Sequence, residues 1–552
     1  MSTTVMLTGM LPFIVLVAAV LAVPVAWFLL RLYSRAVRRG MIAGGTAGAG
    51  TNAIAGTPPT ADLEIVDLPI RSDQVVLGEK SLKFRVAAFS CWRAALAYAI
   101  AGAAYAAVMT TGLLLSDRTQ AVVSTKIALL FWTYFWPVVP AAVLVAAYDR
   151  KRRLQVFGGY TLVFLFIAVV GLLRNPDLHL TDLLLYWIIT NGPATLLVMA
   201  FLYKPIRAVG PLVLAFLIAA SVGSQVLLSV ADQSNTFLRG VVGIGSSAGL
   251  GAVGTFIAMI VAGTLLFSIA IGWPALRILG RRYERKKFSD QSLTLDTIWL
   301  VFAVVQSIYL AFQGPLWILT GLFAFLAYKI VSAVAFRRLL ATQTQGPSTT
   351  LLLLRVFSLG KRSESLFDKL RRHWQYLGGT LMIAGPDLVT TTVEPHEFLD
   401  FVRGRLGRRF VSGIHDVEGR LASLDTAADP DGRHRITEFF CHNDTWQMTV
   451  ERLAAFSDVV LMDLRSFSPS NRGCVFELGR LLDAVDLNRI VFLIDATTDR
   501  SYLESTLQRL WRSVCAESKN RLQPAPRARL FPVSRQDEPE LRALMGHLLA
   551  VT

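Results

Sequence analysis

The residues best placed for chemistry lie between Asp458 and Asp495. An apolar run, Asp458–Leu464 (DVVLMDL), leads through Asp463 and Arg465 into a polar loop, Ser466-Phe467-Ser468-Pro469-Ser470-Asn471-Arg472. A helical pattern then opens with Gly473-Cys474-Val475-Phe476-Glu477-Leu478-Gly479. If the apolar run is a buried strand, Glu477 stands just above the carboxyl edge of a sheet, where open α/β sheets bind ligands. A carboxylate there can stabilise an electron-deficient centre by its charge or bond the hydroxyls of a ligand. The same residues also carry a structural reading. The helix macrodipole favours an acid near a helix N-terminus without any chemistry, Cys474 suits a small buried hydrophobe, and Asp463 and Arg465 suit scaffold ion pairs.

The elements that must position these groups are legible around them. Short apolar runs bounded by polar segments read as buried parallel strands: Leu351–Phe357, Thr380–Ala384, Asp458–Leu464, Arg489–Ile494 and Arg529–Val533. Helical patterns alternate with them, at Ser365–Tyr376, His396–Leu406, Trp446–Phe456, Cys474–Val485, Tyr502–Val514 and Glu538–Leu549. The alternation predicts a doubly wound α/β domain over 351–552 with a five-stranded parallel sheet, its ligand crevice at the carboxyl ends of the strands. Phe357, Ser358, Asp387, Asp463, Ser470 and Cys474 are then the candidates to line the crevice beside Glu477. Val411–Cys441, with its Asp429-Pro430-Asp431-Gly432 turn, fits the scheme poorly and reads as a surface excursion or a lid.

The first 340 residues are of another kind. The chain is 53% hydrophobic and 17% charged, with a mean hydropathy of +0.50; so much apolar surface cannot be hidden inside a water-soluble globule of this size. About nine stretches suit transmembrane helices of a polytopic bundle, near 7–30, 93–115, 124–147, 156–174, 182–203, 209–230, 249–275, 296–313 and 315–336. Lys and Arg cluster after every second stretch, as in Arg31–Arg39, Arg150–Arg153 and Arg277–Lys287. That alternation predicts an N-terminus outside and the C-terminal domain in the cytoplasm, in the plasma or inner membrane. It also accounts for the net charge of +16 by membrane topology rather than by nucleic-acid binding. A cytoplasmic loop over 40–90 begins with a Gly/Ala/Thr/Pro linker at 40–62, and a second linker spans 341–350. The bundle offers no buried Asp or Glu as an ion site, and Lys329 reads as a snorkelling cation. Asn191-Gly192-Pro193 predicts a break in the fifth span, Gln306 an interhelical hydrogen bond, and Gly245/Gly249 a helix contact. Four cysteines without a CxxC pair, and His396, His415, His434 and His442 without ligand spacing, give no metal site.

FSPSNRGCVFEL resembles the segment of the Toll/interleukin-1 receptor (TIR) superfamily in which a Ser-rich loop precedes a helix beginning S-x-W-C-x-x-E-L; LLLLRVFSLGKRSES is similar to that family's opening segment. Met382-Ile383-Ala384-Gly385-Pro386 and NRGCVFELG are also similar to segments of nucleoside 2-deoxyribosyltransferases, a related flavodoxin-like group. The resemblance covers roughly residues 350–535 and implies a flavodoxin-like fold with Glu477 as the catalytic residue. Both families imply action at an N-glycosidic bond, with NAD or a related nucleotide as substrate and no further cofactor. The expectation is a membrane-anchored signalling or effector protein, in contact with the lipid bilayer and homo-oligomeric. The alternatives are a non-catalytic TIR-like sensing module and a channel or transporter regulated by the cytoplasmic domain. The loop Gly385–Pro395 and the insertion before Trp446 depart from the TIR pattern and put that family's usual self-association in doubt.

Overall fold

In a computed structural model the described residues are 3–42, 59, 61–70, 79–116, 123–146, 150–175, 177–340, 348–356, 361–385 and 393–550. They fall into two compact units. One comprises 1–31, 91–341 and 393–399; the other comprises 32–90, 342–392 and 400–552.

The first unit is helical. Seven helices among the described residues are long and apolar enough to cross a membrane, and an eighth is reached if a bent pair counts as one span. That is short of the nine expected. The stretch at 209–230 does form a helix, Gly210–Gln233, but contributes only a shorter apolar segment, Gly210–Ser224. The bent pair is Ser124–Tyr134 with Val138–Val145, turned by 41° where Pro137, lacking an N–H, begins the second helix. Pro193, by contrast, does not break its element: helix Leu180–Leu202 runs through it, as prolines do where neighbouring groups re-satisfy the backbone. Asn191 is anchored instead, donating to the Thr133 carbonyl at 3.2 Å and accepting from Gln306 Nε2 at 2.9 Å, while Tyr105 donates to Gln306 Oε1 at 2.7 Å. Lys329 does more than snorkel. Its ammonium lies 2.6 Å from Asp296 on another helix, an acid the sequence reading passed over because it sits at the edge of an apolar stretch. Gly249 lies past the end of helix Asn235–Ser247 with φ +72°, so Gly245 and Gly249 do not form one helix ridge, but Gly245 does make a helix contact: a β-carbon on it would run into Thr255 of helix Ala252–Phe267. Another close approach is between Gly223 and Gly263, where a β-carbon on either would meet the other's carbonyl. Apolar side chains such as Phe166, Leu196 and Ile269 are exposed, as suits helices in a lipid environment.

The second unit is built on a parallel sheet of seven strands, in chain order β1 (Glu64–Asp67), β2 (Leu351–Arg355), β3 (Thr380–Ile383), β4 (Ile436–Phe439), β5 (Val459–Asp463), β6 (Ile490–Ile494) and β7 (Arg527–Pro532). The spatial order is β1-β7-β6-β5-β2-β3-β4. All five expected strands are present, and two more extend the sheet at its edges. The reason their sequences read as strands is their double burial: Leu352 and Leu354 join one apolar core with helices Trp446–Phe456, Arg472–Ala484 and Arg500–Arg512, while Leu351 and Leu353 join the core on the other face with Lys361–Trp374 and Glu538–Leu549. The chain builds β2, β3 and β4 in one direction, then returns past β2 to build β5, β6 and β7 in the other, so the growth of the sheet reverses between β2 and β5.

The additional strands correct two expectations. β4 comes from the segment read as an excursion or lid; its two middle residues, Thr437 and Glu438, are polar and half-buried, and it lies at the edge of the sheet. β1 comes from the loop assigned to the membrane region, and it pairs in register with β7, Glu64 opposite Arg527 and Asp67 opposite Leu530. Trp511 Nε1 donates to the Ala61 carbonyl at 2.9 Å and Gln508 Nε2 to the Leu63 carbonyl at 2.8 Å, while Leu63 itself enters the apolar core. Leu63→Ala is therefore expected to destabilise the α/β unit by about 2–4 kcal/mol; urea titration of the detergent-solubilised chain, followed by tryptophan fluorescence, measures it.

Candidate functional site

The turn after β5 is set by one residue pair. Asp463, the last residue of the strand, accepts from the Arg465 backbone N–H at 3.2 Å and from its guanidinium at 2.8 and 2.7 Å. Arg465 is 0% exposed. The next residue, Ser466, takes φ +60°, and its hydroxyl lies 2.8 Å from that of Thr497. Phe467 inserts into the core and stacks on Tyr502. Asn471 Oδ1 accepts from the Ser468 backbone N–H at 2.9 Å, and helix Arg472–Ala484 begins there with no side chain capping its first turn.

This geometry brings the helix start to the rim of a cavity of about 730 Å³, within the size range of small-molecule sites. All its lining residues belong to the α/β unit. One wall is Ser470 to Cys474 with Glu477; another is the end of β3, Ile383 and Ala384; a third is Cys441, His442 and Asn443 past β4, with Trp446. The last wall is Arg38, Met41 and Ile42, from the end of the first helix, Thr3–Ile42. The cavity therefore sits at the carboxyl ends of β3, β4 and β5, beside the reversal of the sheet, as open α/β sheets require.

Glu477 is 3% exposed, and its Oε2 has no hydrogen-bond partner among the described residues. Burial pushes its acid up from an ordinary 4.5 to about 8, and the charge of Arg355 only partly opposes this. Near neutral pH it is mostly the protonated acid, able to donate a hydrogen bond; a cation placed in the cavity would draw it toward the carboxylate. The two thiols on the wall are not nucleophiles in waiting. Burial holds Cys441 up at about 11 and raises Cys474 further, helped there by the charge of Glu477.

No protein-family model matches the chain, and neither a curated protein nor a solved structure matches it. What the site can do rests on its own residues.

Of the residues expected to form the site, the structure brings together Glu477, Ser470 and Cys474. Asp463 does not line the cavity: both its oxygens are held by Arg465, which makes it a scaffold residue. Phe357, Ser358 and Asp387 lie outside the described residues. Sequence reasoning missed Cys441, His442, Asn443 and Trp446 because β4, which delivers them, was not recognised. It missed Arg38, Met41 and Ile42 because no local pattern marks a helix end that packs four hundred residues away. His396, read as isolated, has two carboxylates at hand in the other unit, the potential ligand atoms of Glu394, His396 and Glu397 lying within 4.8 Å of one another. Glu397 there accepts from the Glu394 backbone N–H at 3.1 Å, as a helix-start cap does.

Two outcomes follow from these environments. Asp463→Ala leaves the Arg465 guanidinium buried without its carboxylate and is expected to cost about 3–5 kcal/mol in chemical denaturation. For Glu477, the folded chain keeps a proton that the unfolded chain releases, so stability falls as pH rises from about 4.5 to about 8 and levels off above. Glu477→Gln should remove that fall. The variant's advantage should grow across this window to on the order of a few kcal/mol, read from denaturation midpoints at pH 4.5, 6.5 and 8.5.

Proposed function

We propose that the chain is a membrane-anchored signalling or effector protein whose TIR-like α/β unit binds a nucleotide and cleaves its N-glycosidic bond, with NAD as the substrate class. The observation that carries the reading is the Glu477 carboxyl, buried and with one oxygen unpartnered on the wall of a nucleotide-sized cavity. A buried acid without partners destabilises a fold, and such groups cluster where chemistry needs them. The order β3-β2-β5-β6-β7 supports a flavodoxin-like unit, since it is the 2-1-3-4-5 order of that group. The Lys/Arg alternation supports a cytoplasmic location for this unit, and the exposed apolar helices support a lipid surround.

The chemistry suits the acid. Release of nicotinamide from NAD leaves an oxocarbenium-like ribose, which an adjacent carboxylate stabilises by charge and by bonding ribose hydroxyls. The pyridinium ring is itself cationic, so its arrival lowers the proton affinity of Glu477 and generates the carboxylate where it is needed. The ring departs neutral with the electron pair of the broken C–N bond, so no strong general acid is required; water then bonds to the cationic ribose carbon and loses a proton. A transport reading draws on Asp296 and Lys329, but these two neutralise each other at 2.6 Å and leave no net charge for a cargo ion.

The test is nicotinamide release from NAD by the purified full chain, clustered in liposomes. Glu477→Gln should lower kcat/KM at least about 100-fold, and wild-type kcat/KM should rise with pH toward about 8 and then level, reporting the free acid. Equal release by both proteins would end this reading.

A further inference from the structure

The last carbonyls of a helix have no partner within it and must find one elsewhere. At the end of helix Thr3–Ile42 they find it in the α/β unit, to which residues 32–42 belong. His442 Nδ1 lies 2.6 Å from the Gly40 carbonyl, and the Asn443 backbone N–H donates to the Met41 carbonyl at 3.1 Å. A carbonyl only accepts, so the His442 tautomer here carries its proton on Nδ1. The imidazole also stacks on Phe410, with ring centres 4.8 Å apart and planes 22° apart. A β-carbon on Gly40 would run into the Phe410 ring. Glycine is required at this place for close approach, the backbone being ordinary helix. Phe410 is itself fixed by a bridge to Phe440 beside β4. Three contacts from two segments thus dock one helical turn.

That turn is a wall of the cavity. It contributes Arg38, Met41 and Ile42, and the start of the Glu477 helix contributes Arg472. Among the described residues the cavity lining therefore includes two arginines and one acid, and a guanidinium matches the oxygens of a phosphate with paired, charge-assisted hydrogen bonds.

We propose that the last turn of the first helix completes the ligand site, with His442 and Gly40 as positioning residues that dock it and Arg38 as the specificity residue that takes the phosphate of a nucleotide. The inference rests on the preceding reading only in placing the glycosidic centre at Glu477. It selects a phosphorylated nucleoside over the free one.

The test uses the full chain in detergent, carrying Glu477→Gln so that no ligand is consumed, with AMP and adenosine as probes in low-salt calorimetry. Arg38→Ala should weaken AMP about tenfold or more and leave adenosine unchanged; Arg38→Lys should fall between. His442→Ala and Gly40→Ala, which undock the turn and its apolar side chains together, should weaken both ligands. His442→Asn, whose amide nitrogen takes the place of Nδ1, should restore both. Failure of AMP to bind, equal loss of AMP and adenosine in Arg38→Ala, or wild-type affinities in His442→Ala would each overturn the proposal. Those results would leave Glu477-dependent NAD cleavage standing, and cleavage indifferent to Glu477 would leave the binding differences standing.

Discussion

A strand that ends at the rim of a sheet has to be turned before the following helix can pack back on it, and the direction of that turn decides what the helix presents. After β5 the direction is imposed by Asp463. One carboxylate holds both the backbone N–H and the guanidinium of the residue two places on, with the pair fully removed from water. Such a pair is worth little beside a well-packed apolar alternative, but it is expensive to break and leaves few other conformations open. Given that turn, Phe467 reaches the core, Asn471 closes the loop on Ser468, and the helix starts at Arg472 with its first turns over the carboxyl edge. The position of Glu477 is a consequence of those steps.

In the helical unit, Tyr105, Gln306 and Asn191 form an unbroken chain ending on the Thr133 carbonyl, and Asp296 is matched by Lys329. These side chains tie helices together. In the α/β unit other buried acids are tied: Asp429 to Arg435 at 2.8 Å, and Glu540 to the backbone N–H groups of Arg535 and Gln536 at 3.0 and 2.7 Å. Fold requirements explain the tied acids. They do not explain Glu477, which lines a cavity wide enough for a ligand and whose Oε2 has no hydrogen-bond partner among the described residues.

Legibility in the sequence followed the range of the interactions. The five strands with both faces buried announced themselves because double burial makes an uninterrupted apolar run, as in Leu351–Leu354. The edge strands β1 and β4 did not, since four residues with two polar side chains resemble any loop. The Glu477 segment was readable because turn, helix start and acid are adjacent in the chain. Asp463 was misassigned to the crevice because the sequence shows a carboxylate at a strand end and not the guanidinium that folds back onto it. Apolar length alone does not reveal that Pro137 bends one helix or that the run after Gly210 yields a shorter apolar segment among the described residues.

The first helix shows most clearly what local pattern cannot convey. At 40 residues and about 1.5 Å per residue it extends some 60 Å, about twice the hydrocarbon thickness of a bilayer. An anchor alone would need no such length. The residues beyond the span carry Arg35, Arg38 and Arg39, which by composition look like the cationic flank any membrane helix bears. Their spacing on a helix separates them: Val37, buried and one residue before Arg38, and Gly40, cut back to admit Phe410, mark a face that packs, while Arg38 and Met41 turn toward the cavity. A flank that only balanced charge would have no use for a glycine at the point of closest approach, nor for a histidine bonded to its carbonyl. Length, glycine and imidazole together make the end of this helix part of a site.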